Sequence, residues 1–189
     1  YGIMLLLALL LNIMAIHPAF SADKIGVMGV VSGQVTAKSA TSLRELKTGD
    51  AIYLKDQITA SSNGKAQVMF LDKSALMINP NSSVTIDQFV YNPATQSGDL
   101  TMQSAKGALR FIGGALSKKK PVKIKTPVAT IGIRGGIADA HIGAKGVTDA
   151  IFVYGDELTM QNQKGQVTSV TTIGQGLSLS SPTGLPTPL

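Results

Sequence analysis

From Ile25 onward, apolar and polar residues alternate in short runs, and glycine, asparagine, aspartate or proline closes each run. "KAQVMFLD" (Lys65 to Asp72) sets Ala66, Val68 and Phe70 on one face. "SVTIDQFVY" (Ser83 to Tyr91) groups Val84 with Ile86, then Phe89 with Tyr91. "AIFVYGDELTMQ" (Ala150 to Gln161) puts Ile151 and Val153 in phase ahead of a Gly155-Asp156 turn. A side-chain period of two, rich in β-branched residues and bounded by turn formers, specifies strands. Turn signals recur at Gly49-Asp50, Asn63-Gly64, Asn79-Pro80-Asn81, Asn92-Pro93, Gly98-Asp99 and Lys164-Gly165. After the first residues no segment carries a helical stripe of useful length. The expectation is an all-β fold of short twisted strands, stacked in a β-solenoid-like or sandwich-like arrangement. The chain has 189 residues, enough for one domain with a real core.

One internal echo supports stacking. "LTMQSAKG" (Leu100 to Gly107) matches "LTMQNQKG" (Leu158 to Gly165), and each follows a Gly-Asp turn. A repeat protein needs three or more units at a fixed period. The echo therefore predicts two similar strand-turn-strand pieces in similar environments, and it leans the fold toward a solenoid-like sheet.

The two ends read differently from the middle. "IMLLLALLLNIMAI" (Ile3 to Ile16) has Asn12 as its one polar residue and is shorter than the roughly 20 residues a spanning helix needs. With Pro18 and the small residues Ala19 and Ser21 after it, it predicts a helical secretory signal peptide over residues 1–22, cut after Ser21 or Ala22. A membrane anchor is the alternative. The missing basic start and the Tyr1 beginning are expected of a shortened record or of a false start at Met4. At the other end, "SPTGLPTPL" (Ser181 to Leu189) has three prolines and no charge, and predicts a Pro-rich tail or linker over 180–189. The domain then occupies 23–179, or heads a longer protein.

The chemistry-bearing residues exclude more than they suggest. The chain has no cysteine, which removes disulfides, thiol catalysis and sulfur-ligated metal. Export without cysteine fits a bacterial periplasm better than a small eukaryotic secreted domain. His17 lies in the predicted signal, leaving His141 alone, and one histidine does not make an ordinary zinc site. Asp50, Asp56, Asp72, Asp87, Asp99, Asp149 and Asp156 sit mostly at turns, where a carboxylate accepts nearby backbone N–H groups. No Gly-x-Ser-x-Gly motif occurs, and the glycine pairs in "RFIGGALS" and "IRGGIAD" lack the strand-to-helix setting of a phosphate loop. The sequence thus predicts no enzyme, no catalytic residue, no cofactor and no metal.

Charge is unevenly spread. Between Lys106 and Ala138 lie Lys106, Arg110, Lys118, Lys119, Lys120, Lys123, Lys125 and Arg134, with no acid, in a chain of formal net charge +6. Such a field attracts anionic surfaces. An exported chain with few interleaved aromatics is a poor nucleic-acid binder, so the expected partner is a protein or an anionic envelope component. Lys118, Lys119, Lys120, Lys123 and Lys125 are the candidate contacts. The competing reading makes Lys118-Lys119-Lys120 a solvated hairpin tip, basic for solubility or to guard a sheet edge.

Six segments in a fixed order carry a resemblance: "GVVSGQVTA", "LKTGDAIYLKDQITASSNGKAQVMFLDKSALMINPNSSVTI", "GDLTMQSAKGALRFIGG", "VKIKTPVATIGIRGG", "TDAIFVYGDELTMQNQKGQ" and "TTIGQG". Together, from about Val27 to Gly176, they resemble the FecR domain family, a periplasmic all-β module named for the iron-citrate signalling regulator. In signalling members a cytoplasmic anti-sigma segment and a membrane helix precede the domain, which senses an outer-membrane transporter. The resemblance implies a sensor module without the part that holds a sigma factor, hence a non-enzymatic binding or signalling role. Stand-alone secreted relatives also resemble heads of larger surface proteins, so a structural head or spacer is the alternative. No integral span is expected after signal cleavage. Two departures stand out: Gly136 where the family usually has threonine, and Asp72-Lys73-Ser74 in place of Asp-Gly-Ser. The second predicts a different turn or a longer loop, because a type I′ turn favours glycine or asparagine.

Within this frame "VKIKTPVATIGIRGG" predicts a structural corner made by Thr126, Pro127, Arg134, Gly135 and Gly136. Proline pushes Thr126 to extended geometry. Val128, Thr130 and Ile133 read as strand, Gly135 and Gly136 permit positive φ, and Arg134 spans the turn toward carbonyls or a carboxylate.

Overall fold

A computed structural model describes residues 23–189 of the chain. The expected signal peptide over 1–22 lies outside the described residues.

The fold is all-β, and the described residues form seventeen strands, numbered in chain order. One sheet, A, runs in the order β4 (Ala51–Tyr53), β1 (Lys24–Ser32), β6 (Lys65–Phe70), β7 (Ala75–Ile78), the end of β9 (Ser97–Ile112), β12 (Ile137–Ile142), β13 (Thr148–Tyr154), β16 (Gly176–Leu179) and β17 (Thr187–Pro188). The other, B, runs β3 (Leu43–Glu45), β2 (Val35–Lys38), β5 (Gln57–Ala60), β8 (Ser83–Asn92), the start of β9, β10 (Val122–Lys125), β11 (Thr130–Arg134), β14 (Glu157–Gln161) and β15 (Val167–Val170). β9 belongs to both and joins them into one hydrogen-bonded network. After β9 the chain alternates: hairpin β10–β11 in B, β12–β13 in A, β14–β15 in B, β16–β17 in A. All pairings are antiparallel except β9 with β10. Parallel neighbours need a crossover, and here it contains a one-turn helix α1 (Ala115–Lys119).

Side chains from both sheets meet in a single core that includes Ile25, Met28, Ile58, Val68, Ile86, Met102, Phe111, Ile131 and Phe152. Burying each large apolar side chain contributes about 1.5–3 kcal/mol. Ala66, Val68 and Phe70 alternate inward as the period of two predicts. In β8 the inward phase shifts from Val84 and Ile86 to Phe89 and Tyr91 because the register slips between Ile86 and Gln88. That bulge is the physical cause of the broken alternation in the sequence. In β13, Ile151 and Val153 do share a face, but it is the outer one; Ala150 and Phe152 point to the core.

The echo falls on one layer. Leu100 and Met102 of β9 and Leu158 and Met160 of β14 are all buried in sheet B, on either side of the β10–β11 hairpin. The two pieces then diverge. At Gly107 (φ 105) the chain runs on into sheet A, whereas at Gly165 (φ 81) it turns back into β15.

The C-terminal segment is not a free linker in this structure. Thr187–Pro188 pair with β16, Gln163 N–H donates to the Pro182 carbonyl at 2.8 Å, and Asn162 Nδ2 donates to the Gly184 carbonyl. Proline lacks a donor but keeps its carbonyl, so a Pro-rich segment still binds a sheet end by accepting hydrogen bonds.

Candidate functional site

The predicted corner residues fall in two places. Thr126 and Pro127 form the turn between β10 and β11, not a continuous strand. Thr126 N–H donates to the Ala129 carbonyl at 2.8 Å, and Ala129 N–H donates to Thr126 Oγ1 at 3.0 Å. Val128, expected in a strand, is a buried turn residue instead, because this four-residue bond closes the hairpin.

Arg134, Gly135 and Gly136 make the passage from sheet B to sheet A. Gly135 has φ +58, while Gly136 has no positive φ and is required for space. A Cβ at Gly136 would lie 1.8 Å from the Tyr154 carbonyl oxygen. Gly113 N–H donates to the Gly136 carbonyl at 2.7 Å, and Gly135 N–H donates to the Ser117 carbonyl at 2.8 Å. Three chain passages are therefore stacked backbone on backbone, and this explains the glycines in "RFIGG", "RGG" and "YGD". Among the described residues the Arg134 guanidinium reaches no carbonyl. It sits 3.6 Å from Asp156 with both side chains about half exposed, a geometry of small stabilising value.

Lys118, Lys119 and Lys120 are not a hairpin tip. They lie at the end of α1, exposed, with Lys120 Nζ 2.5 Å from Asp99. The helix forms there because the fully buried Asp72 holds its start. Asp72 Oδ2 accepts Leu116 N–H at 3.2 Å, and the Asp72 carbonyl accepts Ala115 N–H at 2.9 Å. Oδ1 of the same carboxylate accepts Ser74 N–H at 3.1 Å and the Ser74 hydroxyl. With Lys73 at φ 67, Asp72-Lys73-Ser74 keeps a tight turn. The side-chain bonds from Asp72 offset the strain of a non-glycine residue in that region.

Lys123 and Lys125 lie elsewhere: on the outer face of sheet B, exposed, between buried Val122 and Ile124. Strand register sets Lys125 in a row that crosses the sheet as Lys38, Gln57, Thr85, Gln103, Lys125, Thr130 and Gln161. At 4.7–4.9 Å per strand this row is about 29 Å long. A second row places Lys123 between Thr101 and Gly132, followed by Thr159 and Ser169. Beside Lys125 a cleft of about 370 Å³ is lined by Gln57, Ser83, Thr85, Gln103 and Thr126, and one of about 180 Å³ by Thr130, Gln161 and Gln163. Among the described residues neither lysine has an ion-pair partner. The face thus presents amide and hydroxyl groups around two free ammonium groups. It can hydrogen-bond an extended polar chain and neutralise its negative charge.

The outer face of sheet A is different in kind. Arg110 makes a two-pronged bond to Asp139 at 2.6 and 2.7 Å, which holds its guanidinium pKa above the usual value through that hydrogen bond and the carboxylate's charge. His141 Nδ1 lies 3.9 Å from Asp149, whose other oxygen accepts the Ser178 hydroxyl at 2.6 Å. The carboxylate stands between serine and histidine, so the imidazole is not placed to take the serine proton. Among the described residues no three His, Asp or Glu side chains converge on a metal-sized space. At the far end of the molecule, buried Asp56 accepts Tyr53 N–H at 2.9 Å and pairs with Arg44, which also lies over the Tyr53 ring.

The polar row was not visible beforehand. Its members are scattered from Lys38 to Gln161, and only strand register brings them together; the lysines alone gave a signal, as local charge.

Comparisons with known proteins agree with this architecture. A family model described as FecR protein matches residues 56–154. Two crystal structures of a candidate anti-sigma factor from Parabacteroides distasonis ATCC 8503 share the fold, with TM-scores of 0.54 and 0.52 at 11% identity over 70% of this chain. The chain spans 58% of the length of those structures. No curated protein matches it.

Proposed function

The chain belongs to the FecR protein family, and from that premise we propose that it is an exported, non-enzymatic binding or signalling module. It engages a protein or an anionic envelope component through the outer face of sheet B. The observation that carries this reading is the pair Lys123 and Lys125, without an ion-pair partner among the described residues and centred in a wide polar face. Membership of the FecR family supports a role in signalling rather than catalysis. Nucleic acid is not the expected partner. Export by a signal peptide over 1–22, to a bacterial periplasm or beyond, is part of the proposal, and among the described residues no helix is long and apolar enough to cross a membrane. In architecture we read the module as sandwich-like, wound hairpin by hairpin in a solenoid-like manner. The alternative role is a structural head or spacer of a larger surface protein.

The test is co-sedimentation of the full chain with purified Gram-negative envelope, wild type against Lys123→Glu/Lys125→Glu. Binding that falls at least tenfold in the variant, and falls with added salt in the wild type, supports the proposal, since exposed charges are screened beyond about 8 Å at physiological ionic strength. Equal binding of both proteins, or none by either, rejects it.

A further inference from the structure

Each sheet has two edges, and they are not alike. At the β3 and β4 end the exposed backbone is flanked by Lys38, Arg44, Glu45, Lys47, Asp50 and Lys55, the charges that natural sheets use to prevent edge pairing. At the opposite end, from Gly165 to Leu189, the sequence contains no Asp, Glu, Lys or Arg. Val167, Ile173, Leu185 and Leu189 are 56%, 63%, 62% and 63% exposed there. The two edges at this end also differ from each other. Edge strand β17 in sheet A ends in Pro188, and Pro186 precedes it, so its donors are removed. Edge strand β15 (Val167-Thr168-Ser169-Val170) in sheet B has no proline, no charge and no bulge in its register with β14. Its outer N–H and C=O groups take part in no backbone hydrogen bond among the described residues outside the β14 ladder.

We propose that β15 is a self-pairing edge on which a second copy of this chain docks antiparallel, extending sheet B across a two-fold axis. Charge selects this occupant. The chain carries formal net charge +6, so two copies repel through most orientations, and the neutral Gly165–Leu189 end is where they approach without that cost. A two-fold axis perpendicular to the sheet keeps inner faces inner, so either Thr168 meets Thr168 of the other copy or Ser169 meets Ser169. Both registers juxtapose small uncharged side chains, and the exposed Val167, Leu185 and Leu189 close around the seam. The polar rows of two copies then run on as one surface. This inference does not depend on the partner assigned to Lys123 and Lys125.

The test is sedimentation velocity of the full chain from micromolar to millimolar concentration. It compares wild type with Val167→Lys and Ser169→Lys, and with Leu43→Lys on the guarded β3 edge as control. All three sites are exposed, and an unchanged melting temperature confirms folding. The expected result is a reversible wild-type dimer, weakened at least tenfold by either β15 variant and less than twofold by the control. A wild-type monomer throughout, a dimer indifferent to the β15 lysines, or one equally sensitive to Leu43→Lys overturns the proposal.

Discussion

Asp72 is the residue whose loss separates the account of α1 most sharply from a generic surface loop. Its side chain is fully buried and satisfies two backbone donors, Ser74 N–H and Leu116 N–H, besides the Ser74 hydroxyl. In Asp72→Ala the hydroxyl can turn away, but two buried N–H groups are left without acceptors at about 1–3 kcal/mol each. Removing a buried charge recovers part of that loss. The expected net destabilisation is about 3 kcal/mol, and a chain of this size loses roughly 2–4 °C per kcal/mol, so the melting temperature falls by about 6–12 °C. Asp72→Asn keeps one acceptor oxygen and loses about half as much. Thermal unfolding followed by circular dichroism measures both. A local readout accompanies it: with its start released, α1 frays, and trypsin cuts at Lys118 and Lys119 faster than in wild type, while the bond from Lys120 to Pro121 resists the protease. An alanine variant that melts with the wild type and resists trypsin equally would refute the reasoning.

Three further variants test the corner and the charges. Gly136→Ala places a Cβ against the Tyr154 carbonyl at 1.8 Å and the Gly155 Cα at 2.7 Å; it should cost more than about 4 kcal/mol or abolish folding, seen as loss of a cooperative melt. Arg134→Ala removes only an exposed pair and should cost under about 1 kcal/mol, so a melting loss as large as that of Asp72→Ala contradicts its surface placement. Lys118→Gln/Lys119→Gln changes two exposed side chains and should shift stability by no more than about 0.5 kcal/mol each, while leaving envelope sedimentation intact, unlike Lys123→Glu/Lys125→Glu.

Much of the fold was legible because strand periodicity is a local signal. The runs around Val68 and Val84 place their own inward faces, and even the bulge in β8 shows as a slip in apolar phase at Asp87. Ile151 and Val153 misdirect because apolar residues also line the outer face of sheet A, and alternation does not say which face is buried. The helix at Ala115–Lys119 was hidden: five residues have no periodicity, and its cause, Asp72, lies more than forty positions away. Arg134 drew attention as a lone arginine beside glycines, yet the backbone, not its side chain, makes the corner. The binding face was half legible: Lys123 and Lys125 were visible as charge, but Gln57, Thr85, Gln103 and Gln161 acquire meaning only through register.

The absence of cysteine makes thiol footprinting the most direct test of where this FecR-family chain binds. Single cysteines are introduced at Thr85, Gln103 and Gln161 on the outer face of sheet B, which leaves Lys123 and Lys125 in place, and at Gln67, Met77 and Ile151 on the outer face of sheet A. Each variant is alkylated with and without purified envelope. The account predicts slowed alkylation at the sheet B positions alone. Protection confined to the sheet A positions, or equal on both faces, contradicts it.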